Sequence, residues 1–404
     1  MRTAPMLGVA CGVALAVAMS LGAGAAEPPI KIGVLNDMSS VYAVAGGRET
    51  VEAVRMAVED AGPVLGQTAE VVSADHQNKP DIGAAIARKW FEVEGVDAIV
   101  DVPNSAVGFA VQSLAKDKRK ISLFVGALSS DITGPKCDAY TTQWAVDTWS
   151  LAHVMGTAVL KRGGDRWFFL GADYLFGRAL VRDTRAVVEA NGGKVLGAVY
   201  APLNTADFSS FLLQAEPTHP NVIGLANSSN DTVNAIKQAV EFGLTKDGAK
   251  FAAYVLFLEH INTLTPKVAQ GLLLANPFYW DLNAETRAWS MRFEARIGHP
   301  PDWDPAIAYS AVFHYLKAVK AAGTRDADAV AAKMREIPVN DFATKEGQVR
   351  IDGRVLRNVY LLEVKTPDEV KSKWDLYNVV ATVPGDEAFR PLDAGGCPLV
   401  GSGR

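Results

Sequence analysis

The chain has 404 residues, of which 49% are hydrophobic and 21% are charged. This composition is typical of a globular protein and excludes a disordered one. The length exceeds the roughly 250–300 residues at which single hydrophobic cores stop growing, so more than one core is expected. The formal net charge is −5, and an acidic chain without a basic stripe argues against nucleic acid as a partner.

Residues 1–26 have the layout of a secretory signal peptide. One basic residue, Arg2, precedes an apolar stretch, and small residues lead to a cleavage point after Ala25 or Ala26. The stretch is short and rich in alanine and glycine, which favours a cleaved signal over the alternative of a membrane anchor. Cys11 lies inside it and is expected to leave with the signal. The mature chain then has 39 basic and 45 acidic residues and a net charge of −6.

Two cysteines remain in the mature chain, Cys137 and Cys397, and both lie in loop-like, glycine-containing contexts. In an exported protein an even number of cysteines indicates a disulfide. We therefore expect a Cys137–Cys397 bridge, the alternative being two unrelated thiols.

The first predicted unit, over residues 30–62, consists of a strand, a polar loop and an amphipathic helix. The apolar run at residues 32–35 is typical of a strand inside a covered parallel sheet. The loop over residues 38–45 contains Ser40 and Tyr42, and the helix after it ends at a glycine–proline pair. In an open α/β sheet, ligands bind beyond the carboxyl ends of the strands, so this loop is expected to carry function.

The same order of elements recurs along the first half of the chain. Further strands are predicted over residues 70–74, 97–102 and 121–125, and Pro80 marks the start of one of the helices between them. Four such units with short connections predict a parallel, doubly wound lobe.

The second half repeats this organisation. Residues 166–193 again give a strand, a loop that contains Asp173 and Tyr174, and a helix that ends in glycine. Further strands are predicted, over residues 195–200, 221–226, 251–257 and 359–364.

Three extended segments are expected to cross between the two halves, near residues 140–148, 276–281 and 347–357. Two helices are expected to pack back on the first half, over residues 284–297 and 305–322. The chain is therefore predicted to be an α/β protein of two doubly wound, Rossmann-like lobes joined by a three-segment hinge. The predicted division is 27–145 with 277–350 for the first lobe, and 146–276 with 351–404 for the second.

The motifs of common enzyme classes are missing. The sequence contains no Gly-x-Ser-x-Gly elbow, no phosphate loop, no His-Glu-x-x-His and no dinucleotide fingerprint after the first strand. The histidines are scattered without metal-ligand spacing, and only His260 lies beside an acid, Glu259. We expect a protein that is not an enzyme and that uses neither a cofactor nor a metal.

The loops after the predicted strands instead carry hydrogen-bonding and aromatic side chains. Hydroxyls and helix N-termini together suit an anion, especially a carboxylate, and aromatic side chains can enclose the apolar part of a ligand. Taken singly, each polar residue can equally be only a helix cap and each aromatic residue ordinary core. The same polar chemistry in three successive strand-end loops favours a binding site. The candidates are Ser39, Ser40, Asn104, Ser105, Ser129 and Ser130, with Tyr42, Trp144, Tyr174, Phe176 and Trp280.

In order and spacing, these segments resemble the periplasmic solute-binding proteins of ABC importers, of the branched-chain amino acid (Leu/Ile/Val-binding) type. The segments are KIGVLNDMSSVYAVAGG, DVPNSAVGFAV, GALSSDITG, DYLFG and LNTADFSSFL. The resemblance covers nearly the whole mature chain. It implies a type I periplasmic binding fold that closes over its ligand, a periplasmic location, a monomer, and a permease and an ATPase as membrane partners.

The resemblance also implies a site. The ligand carboxylate would meet Ser105 and the segment from Ala127 through Leu128 to Ser129. The other implied or candidate ligand-binding positions are Ser40, Tyr42, Asn104, Trp144, Tyr174, Phe176, Asn227 and Ser228.

Two positions depart from the family pattern. Leu128 stands where amino-acid binders commonly have threonine, and Glu259 is only an approximate counterpart of the acid that takes the ammonium group. A branched-chain amino acid, an aromatic acid, and an amide or urea therefore all stay open as ligands. Two rival functions also stay open, a ligand sensor of the same fold, and an exported enzyme that uses Asp173 or Glu259 as an acid–base group.

Overall fold

The computed structural model describes residues 1, 4, 28–246 and 248–401. The predicted signal peptide lies outside these ranges except for residues 1 and 4. Across the described part of the chain, none of the helices combines the length and the apolar character that spanning a membrane requires.

The first sheet has five parallel strands in the order β2-β1-β3-β4-β5. This is a doubly wound order. The chain adds strands first to one side of β1 and then to the other, which leaves a crevice between the ends of β1 and β3. The elements are β1 (Lys31–Asn36), α1 (Gly47–Ala61), β2 (Glu70–Asp75), α2 (Pro80–Lys89), β3 (Ala98–Asp101), α3 (Ser105–Lys118), β4 (Ile121–Phe124) and β5 (Thr141–Gln143).

The second sheet has four parallel strands in the order β7-β6-β8-β9, which repeats the winding of the first. Its elements are α4 (Thr148–Lys161), β6 (Arg166–Ala172), α5 (Leu175–Ala190), β7 (Lys194–Ala201), α6 (Ser209–Leu212), β8 (Val222–Ser228), α7 (Ser229–Glu241), β9 (Lys250–Val255), α8 (Leu258–Leu264) and α9 (Pro266–Ala269). Helix α6 is a single turn, and α4 was not predicted.

The chain then returns to the first lobe and leaves it again. The remaining elements are β10 (Leu273–Asn276), α10 (Ala284–Ile297), α11 (Trp303–Ala322), α12 (Ala327–Glu336), β11 (Gln348–Val349), β12 (Val355–Leu356), β13 (Val359–Val364), β14 (Tyr377–Val383) and α13 (Gly385–Ala388). Helices α10 and α11 pack on α1, where Asp60 accepts from Arg292 and from the Tyr309 hydroxyl. Strands β10, β13 and β14 form an antiparallel sheet.

A buried arginine joins two of the crossings. Arg354 lies in the segment between β11 and its hairpin partner β12. Its guanidinium donates to the backbone carbonyls of Gln143, the last residue of β5, and of Ala145 in the crossing that follows. The same group donates to Asp147 Oδ2 (3.3 Å) and lies over the Phe389 ring. The crossing segments are therefore held together by one charged side chain in the protein interior.

The structure joins Cys137 to Cys397 in a disulfide with a Cα–Cα distance of 5.5 Å across 260 positions of sequence. Arg390 also donates to the Ser130 carbonyl (2.9 Å). The predicted division assigned all of 351–404 to the second lobe, but these two contacts hold residues 390–397 against the loop between β4 and β5 of the first. The tail thus runs from β14 back to the first lobe.

We expect the double substitution of Cys137 and Cys397 by serine to lower the free energy of unfolding by about 2–4 kcal/mol, because the bridge restricts a long loop in the unfolded chain. Guanidinium titration followed by circular dichroism measures the change. The free energy of unfolding of wild-type protein treated with a phosphine reductant should fall to that of the double variant. Two titratable thiols in oxidised wild-type protein would contradict the bridge.

Candidate ligand-binding cleft

A cavity lies between the two lobes, beyond the carboxyl ends of both parallel sheets. The loops that reach it follow β1, β3 and β4 in one lobe and β6, β8 and β9 in the other, so the topological reversal point of each sheet faces the same space. The residues lining the cavity are Tyr42, Ala45, Pro103, Gly126, Leu128, Tyr174, Phe176, Ser228, Val255, Phe257, Trp303 and Asp304.

The loop after β1 is shaped by the buried carboxylate of Asp37. This group accepts hydrogen bonds from the backbone N–H groups of Ser40 (2.9 Å) and Tyr42 (2.8 Å), from the Ser40 hydroxyl (2.6 Å) and from Asn78 Nδ2 (2.6 Å). Because the loop is fixed in this way, the Tyr42 side chain is directed into the cavity. The Ser40 hydroxyl is occupied by Asp37 and Asn78 and does not line it.

Tyr42 and Tyr174 meet across the cavity, with their hydroxyl oxygens 2.7 Å apart. Burial is the main cause that raises the pKa of both phenols above the usual value. Both side chains are therefore neutral at physiological pH and keep their hydrogen-bonding protons. One phenol comes from each lobe, so this hydrogen bond exists only when the lobes are together.

Further contacts show that the lobes are in a closed arrangement. Asp302 Oδ2 accepts from the Leu258 N–H (2.7 Å), and the Trp303 ring stacks on Phe257 at 5.4 Å between centroids. The Ser130 hydroxyl also donates to Asp183 Oδ2 (2.7 Å). Residues of both lobes thus enclose the cavity on several sides.

Two carboxyl groups are paired at the first-lobe side of the cavity. Asp101 and Asp304 share a hydrogen bond, and both are buried. Asp101 accepts from Asn36 Nδ2 and from the Gly126 N–H (3.2 Å), while Asp304 Oδ1 accepts from the Thr50 hydroxyl (3.0 Å). Burial raises the pKa of Asp101 to about 7 and that of Asp304 well above its usual value. The pair therefore retains a proton near neutral pH.

The backbone around Asp101 is strained. Asp101 and Val102 have φ angles of 81° and 61°, in the left-handed region that residues with a side chain rarely adopt. Such conformations persist only where the surroundings enforce them, and they cluster at binding sites.

The structure brings five of the predicted ligand-binding residues to the cavity wall, namely Tyr42, Leu128, Tyr174, Phe176 and Ser228. Others serve the fold beside it. Asn104 caps α3 by accepting from the N–H groups of Ala106 and Val107, and the Ser105 hydroxyl accepts from the Ser129 N–H (3.1 Å). The predicted carboxylate contacts at Ser105 and Ser129 are thus used within the protein.

Four more predicted residues do not line the cavity. Ala127 is buried against Gly108 in the first lobe, and Trp144 is buried in the hinge, where its indole N–H donates to the Thr142 hydroxyl (2.8 Å). Asn227 accepts from Thr232 (2.7 Å) in the first turn of α7.

The fourth is Glu259, whose side chain is 48% exposed and faces His299 at 4.0 Å. The carboxyl group that lines the cavity is that of Asp304. The two acids come from opposite lobes.

Trp303 and Asp304 were not among the predicted site residues, because the helix was predicted to begin at residue 305. The helix begins at Trp303 with Asp302 as the flanking residue. Proline is favoured at the first helical position, so Pro305 indicates a start two residues later than the one the structure has. No cluster of three or more potential metal-ligating side chains occurs among the described residues.

Two similarly wound lobes that enclose a cavity at their strand ends define a two-lobed binding protein. A family model, described as periplasmic binding protein, matches residues 29–370, and the chain belongs to this family. The chain is thus a solute-binding protein and not an enzyme.

Solved structures and curated proteins agree with this assignment. A periplasmic binding protein of Burkholderia mallei is 45% identical, with a TM-score of 0.90, covering 92% of this chain and 99% of that one. A branched-chain amino acid ABC transporter periplasmic ligand-binding protein of Burkholderia xenovorans is 38% identical, with a TM-score of 0.81 and the same coverage. Leu/Ile/Val-binding protein homolog 6 of Brucella suis is 26% identical over 368 residues, 88% of this chain and 93% of the relative.

The burial of Asp302 in the closed arrangement predicts that the free energy of unfolding depends on pH. Burial raises the pKa of its carboxyl to about 7, and the charges facing it are those of Glu49 and Glu259. The folded protein therefore holds this proton more tightly than the unfolded chain does. Its stabilising contribution is complete below about pH 4 and is lost as the pH rises through about 7.

Between about pH 5 and about pH 8, the Asp302 carboxyl should lower the free energy of unfolding of the wild-type protein by on the order of 3 kcal/mol. We expect Asp302→Asn, which keeps an acceptor for the Leu258 N–H, to lack this decrease. Chemical denaturation at the two pH values measures it. Asp368→Asn, at an exposed position, is the matched control. An unchanged pH profile in Asp302→Asn would show that this carboxyl does not carry the effect.

Proposed function

We propose that this protein is the extracytoplasmic substrate-binding component of an ABC importer. It captures a small carboxylate-bearing solute, a branched-chain amino acid or an aromatic acid, and delivers it to a membrane permease driven by an ATPase. We propose that the protein works in the periplasm. The proposal rests on family membership and on the names of relatives, which include a branched-chain amino acid ABC transporter ligand-binding protein and Leu/Ile/Val-binding protein homologues.

The observation that carries the proposal is the cavity enclosed by both lobes. It lies at the strand ends of both lobes, which is where α/β folds of this kind bind small molecules. Its walls combine an apolar majority with a few polar groups, as such sites generally do. The apolar walls come from Leu128, Phe176, Val255, Phe257 and Trp303.

Helix starts support a carboxylate as one end of the solute. Tyr174 and Ser228 flank the first residues of α5 and α7. Each of these helix starts has a partial positive charge and backbone N–H groups without an intrahelical partner. Two such starts beside one cavity can stabilise an anion although no Lys, Arg or His belongs to its lining.

Closure supplies the mechanism of capture. In an open form, the solute would rest on one lobe, and rotation about the hinge would bring the other lobe onto it and expel water. The solute shifts the equilibrium toward closure only by its extra affinity for the closed form. The Tyr42–Tyr174 and Asp302–Leu258 hydrogen bonds are formed in the closed form and stabilise it whether or not solute is bound.

The binding function is tested by a thermal-shift screen with branched-chain amino acids and aromatic acids, followed by calorimetry. A ligand that binds the folded state raises the melting temperature by mass action. Absence of binding across both classes would contradict the proposed function. Recovery of the bound solute unchanged after incubation is expected for a carrier.

We expect Tyr174→Phe to weaken binding of the solute found in that screen by roughly five-fold to one-hundred-fold, because it leaves the buried Tyr42 hydroxyl without its partner. Calorimetry measures the dissociation constant. Tyr140→Phe is the matched control, since Tyr140 donates to Asp328 at the protein surface and should bind as wild type does. Equal affinity in Tyr174→Phe and wild type would place the solute elsewhere.

A further inference from the structure

The hinge contains a second buried arginine, Arg357, which lies between β12 and β13 and is 4% exposed. Burial lowers the pKa of its guanidinium to about 10, so the group is charged at physiological pH. A charge in the protein interior is costly unless a group of opposite sign balances it and its donors are hydrogen-bonded. The hydrogen bonds and charges around Arg357 therefore show whether the chain alone satisfies this group.

Most of the guanidinium donors lack an acceptor. Arg357 Nη1 donates to the Trp144 carbonyl at 3.4 Å, which is long for a hydrogen bond. Nε and Nη2 are buried and have no hydrogen-bond partner among the described residues. Buried polar groups in native proteins are nearly always paired, so we expect an acceptor that does not belong to the chain at these two nitrogens.

The charge of Arg357 also lacks a directly paired acid. Asp341 is the acid whose charge favours the protonated guanidinium, but its carboxylate oxygens accept from a hydroxyl and two backbone N–H groups. Two other arginines of this segment have acid partners, namely Arg354 with Asp147 and Arg350 with Asp352. The hinge interior thus has one more positive charge than its ion pairs balance within the described part of the chain.

The packing around Arg357 restricts the kind of acceptor. Trp144 is fully buried, and Gly385 packs on Arg357 so closely that a Cβ atom at residue 385 would overlap the Arg357 backbone N and O atoms. A small anion suits such an enclosed place better than a phosphate or an organic carboxylate. A water molecule would accept the same hydrogen bonds, but it brings no charge to balance the guanidinium.

We propose that Arg357 binds a chloride ion in the hinge, with Nε and Nη2 as its hydrogen-bond donors. The ion supplies the acceptor and the negative charge that the surrounding residues do not supply. Through Arg357 and the Trp144 carbonyl, it strengthens the contact between the crossing after β5 and the segment before β13. This site is separate from the cleft, and it does not depend on the proposed function.

The first test is crystallographic and needs no variant. Crystals of the wild-type protein are grown with sodium bromide in place of sodium chloride, and anomalous data are collected at the bromine edge. We expect an anomalous peak in contact with Arg357 Nε and Nη2. A water molecule there without an anomalous signal, or no density at all, would overturn the proposal.

The second test measures the effect of chloride on folding in solution. Urea unfolding is followed at constant ionic strength while chloride replaces gluconate. An ion that binds only the folded state stabilises it by mass action. Above the dissociation constant of chloride, each tenfold rise in its concentration should therefore raise the wild-type folding equilibrium constant by up to about tenfold.

Two variants separate this site from general salt effects. Arg357→Met removes the donors and keeps an apolar side chain of similar length, so its folding equilibrium should not respond to the exchange of chloride for gluconate. Arg88→Met, at an exposed position of α2, is the matched control and should respond as wild type does. An equal chloride response in Arg357→Met and wild type, or no response in wild type, would contradict the site. If Arg357→Met does not fold, the bromide and wild-type chloride experiments decide.

Discussion

The hinge depends on a positive charge buried between crossing segments. The Arg354 guanidinium donates to the carbonyls of Gln143 and Ala145 and to Asp147, and burial lowers its pKa only to about 10, so it is charged at physiological pH. A buried charge that lost these partners would be strongly destabilising. The arrangement of these two crossings, and through it the way the two lobes face each other, therefore depends strongly on this set of hydrogen bonds.

The fold was largely predictable because the two parallel sheets have the strongest sequence signal. Their strands are short apolar runs bounded by polar loops, and β13 was predicted with the bounds that the structure gives it. Helix α4 was missed because it is mostly buried and lacks a clear polar stripe, so the helical period is weak. Strand β14 was missed because most of its residues are exposed and it lacks an alternating pattern.

The site was predictable only where topology alone decides it. Tyr42, Tyr174 and Ser228 follow strands whose ends must lie at one edge of a parallel sheet. Trp144 looked equivalent as an aromatic residue in a crossing, but it packs into the hinge interior. Asp304 comes from a helix far along the chain, and its place at the cavity follows from packing of α11 on α1, which no local pattern records. Spacing in sequence identifies which loops meet, and packing decides which side chains they present.

The C-terminal tail adds a fourth physical link between the lobes. It leaves the second lobe after β14 and is anchored to the first by the Cys137–Cys397 bridge and by Arg390. A rigid-body rotation changes the length of every link in proportion to its distance from the rotation axis. An opening rotation whose axis lies close to the four links stretches them least, so the anchored tail favours that kind of rotation over a twist about a distant axis.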